Sequence, residues 1–101
     1  MIEISVYTEI EEERNKAEAK FPDQHLPSGT SRSDWSGEEL AAKAECNKRH
    51  KYGNLTWRDV LYEEVCEAFA EEDPAKLRAE LVQVAAMAVR WIEDLGRGEK
   101  S

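Results

Sequence analysis

The sequence lacks any apolar run long enough to span a bilayer or to form the core of a signal peptide. Its opening stretch, MIEISVYTEIEEER, is too acidic for a targeting segment. It also lacks an excess of positive charge. Lys and Arg number 14 against 22 Asp and Glu, a balance of −8. Phosphate backbones are bound by surplus cations, so a nucleic-acid polymer is excluded as the expected partner. A small phosphorylated ligand is not excluded, because a bound divalent cation inverts the local charge. Cysteine is scarce as well. Cys46 and Cys66 stand far apart with no CxxC spacing. They read as reduced thiols in a cytoplasmic protein rather than as a zinc site or a disulfide. No internal repeat or low-complexity tract is present.

A chain of 101 residues holds one domain and little more. At that size the buried fraction is modest, and a partner copy would help. The expected fold is all-α, a helical bundle of about four helices with a central antiparallel hairpin over residues 56–95. A first helix is predicted from Glu3 to Lys20, with Ile4, Tyr7, Ile10, Arg14 and Ala17 spaced by three or four. A short strand at IEISVY is the alternative for its first turn. Phe21-Pro22 ends the helix. The Pro-, Gly- and Ser-rich stretch that follows predicts a long loop over residues 21–35. A second helix is predicted from Ser36 to His50, with Leu40, Ala44 and Asn47 on one side and Gly53 as a left-handed cap.

The hairpin carries the clearest signals. Thr56 is an N-cap, and Asp59 stands three residues on. Asp73-Pro74 gives a second N-cap with proline at the first helical position. The last helix is rich in strong helix formers, and Gly96 and Gly98 are expected to stop it. Val65, Phe69, Leu77, Leu81, Val84, Ala88, Val89 and Ile92 are expected in the core or at an interface. Met87 and Trp91 could be either.

Four polar positions pair across the turn. Glu64 and Glu67 share one face of the first hairpin helix, and Glu80 and Gln83 share a face of the second. Glu67 and Glu80 are nearly equidistant from Asp73-Pro74, as are Glu64 and Gln83. An antiparallel fold-back therefore puts three carboxylates and one amide oxygen at matching levels. At about 100° per residue, Glu80 shares its arc with Leu77, Val84, Met87 and Trp91. An acid in that setting is costly unless it is paired or bound to a metal. Hard oxygen donors of this kind suit Mg2+. Pairing of Glu80 with Arg14, Arg58 or Arg78 for purely structural ends is the competing reading.

LYEEVCEA followed by LRAELVQVAAMAV resembles the MazG-like nucleoside triphosphate pyrophosphohydrolases, an all-α family with an EExxE motif on one helix and ExxD on the next. The resemblance is best over residues 56–95. Over the front half, KFPDQHLPSGTS looks like a stretch of small actinobacterial and phage members. The resemblance implies cleavage of a nucleoside triphosphate to monophosphate and pyrophosphate. It implies Mg2+ (or Mn2+) on Glu64, Glu67, Glu80 and Gln83, with Glu63 or one of the ligands orienting the attacking water. Substrate contacts are expected from Lys20, His25, Trp57, Arg49 and Lys51, among further cations at Arg32 and Lys48, with Trp35 the alternative to Trp57 for stacking on a base. A homodimer or homotetramer is implied too. The sequence departs from the family at Gln83, where the family has aspartate: an amide oxygen can ligate a cation but brings no charge. Three functions therefore stay open: a working hydrolase, a protein that binds or sequesters a nucleotide without turnover, and a helical interaction module with a relict site.

Overall fold

The computed structural model describes residues 1–100, with side chains through residue 98. Four helices follow one another: α1 (Ile4–Lys20), α2 (Arg32–Lys51), α3 (Trp57–Ala70) and α4 (Pro74–Lys100). No strand occurs among the described residues, and the IEISVY stretch enters α1. The fold is thus a small all-α one, as its periodicity predicts. Among the described residues no helix is long and apolar enough to cross a membrane.

The chain divides into two compact units, residues 29–88 and a second made of residues 1–28 with 89–101. In the larger unit, α2 and α3 run antiparallel, held by a ladder of contacts. The Ser31 N–H donates to the Phe69 carbonyl at 2.9 Å, and the Arg32 N–H donates to Glu72 Oε1 at 2.8 Å. Trp35 meets Phe69 edge to face at 4.8 Å. Tyr62 donates to Glu38 at 3.3 Å, and the Cys46 thiol donates to the Asp59 carbonyl at 3.2 Å. Each step along α2 meets an earlier residue of α3.

The core of this unit is built from small side chains: Ala42, Cys46, Cys66, Ala68 and Ala70 are buried, with Leu77 the one large member. Small residues let helix backbones approach closely, and full burial of one leucine contributes about 2 kcal/mol. Leu40, expected on the inner side of α2, is 70% exposed. The inner stripe is instead Trp35, Ala42, Cys46 and Arg49, because α3 packs against the narrow alanine and cysteine face. Of the residues expected in the core or at an interface, Leu77 and Val89 are buried and Val65, Val84 and Ala88 half-buried. Phe69, Leu81 and Ile92 are exposed.

In the smaller unit, Val6 of α1 and Val89 of α4 are buried. The rest of α1 carries its side chains in solvent, with Tyr7 and Ile10 exposed. Its C-terminus falls at Phe21, whose N–H still reaches the Ala17 carbonyl at 2.9 Å.

Two boundaries differ from expectation. The loop covers residues 21–31, not 21–35, because Ser31 caps α2 by accepting from the Asp34 N–H at 3.3 Å. In addition, α4 runs through Gly96 and Gly98. A glycine ends a helix by turning left-handed. The described positive-φ glycines are Gly29 and Gly53, at +71° and +73°. Gly53 does end α2, with its N–H on the His50 carbonyl at 3.2 Å.

The start of α3 is a reciprocal cap. The Asp59 N–H donates to Thr56 Oγ1 at 3.2 Å, and Asp59 Oδ2 accepts from the Thr56 N–H at 3.0 Å. Asp73 caps α4 through the Lys76 N–H at 3.0 Å. Thr56→Ala should cost about 1 kcal/mol and lower the thermal midpoint by roughly 4–8 °C in circular dichroism. A midpoint unchanged within about 1 °C, a small fraction of that shift, would contradict the capping role.

Candidate functional site

Three carboxylates meet between α3 and α4. Glu64 and Glu67 lie one turn apart on α3, and Glu80 faces them from α4. One oxygen of each lies within 4.8 Å of the others, and all three residues are half-buried. The caps on both helices produce this meeting. They fix where each helix starts, and the short connection folds α4 back beside α3.

The charges in this cluster oppose one another. Burial raises the Glu64 carboxyl above the ordinary range, and the charges of Glu80 and Glu63 push the same way. Glu67 is raised to about 7, first by burial, then by the charges of Glu64 and Glu80. With its carboxyl raised that far, Glu67 holds a proton at mildly acidic pH. At an effective dielectric constant near 20, two full charges at such a separation repel by roughly 3 kcal/mol. That exceeds the gain from burying Leu77.

The arginines of the competing reading are engaged otherwise or exposed. Arg14 pairs with Glu18 at 3.9 Å, and Arg58 acts on Asp59. Arg78 is exposed. Gln83 is exposed one turn beyond Glu80.

Glu63 is half-buried next to Glu64, and it interacts with the Cys46 thiol of α2. Burial, aided by Glu63, pushes that thiol up to about 12. Cys46 therefore stays protonated and serves as a donor rather than a nucleophile. Cys66 is fully buried, its thiol raised by burial, and hydrogen-bonded with Tyr62. Both cysteines are free.

The residues expected to contact a substrate are spread along the chain. Lys20 ends α1 with its ammonium 5.5 Å from the Phe21 ring centre, and His25 is exposed in the loop. Both belong to the smaller unit. In the larger unit, Lys51 lies at the end of α2, 5.8 Å from the Tyr52 ring centre, and Trp57 opens α3 half-buried. Arg49 is engaged by Glu45 at 2.8 Å and by Asp59 at 3.6 Å. Its charge ties α2 to the cap of α3. Arg32 pairs with Glu71 at 3.6 Å. Sequence spacing does not mark the link between Glu63 and Cys46. Glu63 follows the capping Asp59 by one helical turn and is lost among the other acids of α3. Only the packing of α2 on α3 isolates it.

A pH dependence follows from Glu67. Its folded carboxyl binds a proton more tightly than the unfolded one, so the folded state gains below the ordinary value. That gain is lost as pH rises from 4.5 toward about 7. With a chelator present, the thermal midpoint should fall across that window more in the wild type than in Glu67→Gln. Above it the variant should be the more stable by on the order of 1 kcal/mol, a figure kept low because water screens a half-buried group. Parallel midpoint-against-pH curves for the two proteins would contradict the coupling.

No family model, curated protein or solved structure matches this chain.

Proposed function

We propose that this chain is a MazG-like nucleotide pyrophosphohydrolase, cleaving a nucleoside triphosphate to a monophosphate and pyrophosphate with Mg2+ or Mn2+. The observation that carries this reading is the convergence of Glu64, Glu67 and Glu80, with ligand oxygens within 4.8 Å of one another. The donor set fits a hard divalent cation: three carboxylates from two rigid helices, in mutual repulsion that a cation relieves. Glu64, Glu67 and Glu80 would hold the ion, with Gln83 available as a neutral oxygen donor. Bound there, it would offset phosphate charge and polarise the phosphorus centre.

The protein's own groups do the rest. Glu63 accepts a proton from the water whose oxygen attacks the α-phosphorus. The bond from that phosphorus to its bridging oxygen breaks, and pyrophosphate leaves. Lys51 and Trp57 are the nucleotide contacts this reading keeps in the larger unit. Glu45 and Asp59 already occupy Arg49.

One observation favours a second reading, binding without turnover. Gln83 is exposed and uncharged, so the cluster carries one acid fewer than the family pattern. The two readings separate in one experiment. The protein is incubated with a panel of nucleoside triphosphates and Mg2+ or Mn2+, and pyrophosphate is assayed. Cation-dependent release is expected, falling at least a hundredfold (roughly 3 kcal/mol of transition-state stabilisation) in Glu64→Gln/Glu80→Gln. No release above that double variant would sink the hydrolase. A nucleotide-dependent rise in thermal midpoint without release would support binding alone.

The proposal extends to self-association. Phe69, Leu81 and Val82 are 42%, 51% and 60% exposed on helices that bury few large side chains. Light scattering at micromolar concentration should give at least twice the 11.6 kDa chain mass. A monomer mass would contradict it.

A further inference from the structure

We draw no further inference here: the strongest candidate, the cavity of about 260 Å³ between α2 and α3 lined by Ala41, Ala42, Glu45, Cys46, Asp59 and Tyr62, has both its carboxylates already engaged by Arg49, and nothing in the structure shows what would fill it.

Discussion

Repulsion among Glu64, Glu67 and Glu80 is the constraint on which the larger unit turns. The packing of α3 against α4 brings like charges together at a half-buried level, where water screens them only in part. A fold that needed only stability would place leucine or alanine there, as it does at Leu77 and Ala68. Burial and the charges of Glu64 and Glu80 instead raise Glu67 to about 7. Such a cluster is costly when empty of counter-charge.

The rest of the unit serves to hold α3 still. Its N-terminus is fixed by the Thr56–Asp59 cap, and Arg49 of α2 bears on the same aspartate. Its C-terminus is fixed by Ser31 and Arg32, which bond to Phe69 and Glu72. Between these clamps the α2-facing side of α3 is tied by Tyr62 to Glu38 and by the Asp59 carbonyl to Cys46, while Glu64 and Glu67 meet Glu80. One helix thereby divides its four acids: Asp59 caps it, Glu63 lies beside a thiol, and two join the cluster. Catalytic proposals place Glu63 and Glu64 in different roles, and the packing gives them different surroundings.

Much of this was legible in the sequence where local chemistry is strong. Thr56 with Asp59, and Asp73 with Pro74, mark helix starts because capping satisfies backbone N–H groups by side chains at fixed offsets. Mirror spacing about that turn then predicts which acids meet. The failures are equally physical. Ser31 resembles any loop serine in sequence; only its contact with Asp34 makes it a cap. Gly96 and Gly98 carry a stop signal that acts only through a left-handed backbone, and α4 does not adopt it there. Leu40 misled because apolar spacing ignores how closely alanine and cysteine let α3 approach. The engagement of Arg49 by Glu45 and Asp59 depends on two helices meeting, which no single helical period reveals.

The central claim is that the three carboxylates act as one cation-holding group. Its most direct test is Mn2+ binding followed by electron paramagnetic resonance at neutral pH, in the wild type and in Glu80→Gln. The account predicts saturable binding in the wild type, weakened at least tenfold (about 1.4 kcal/mol) when the α4 acid is neutralised, with the helical circular dichroism unchanged. Equal binding in the two proteins, or none in either, would contradict it.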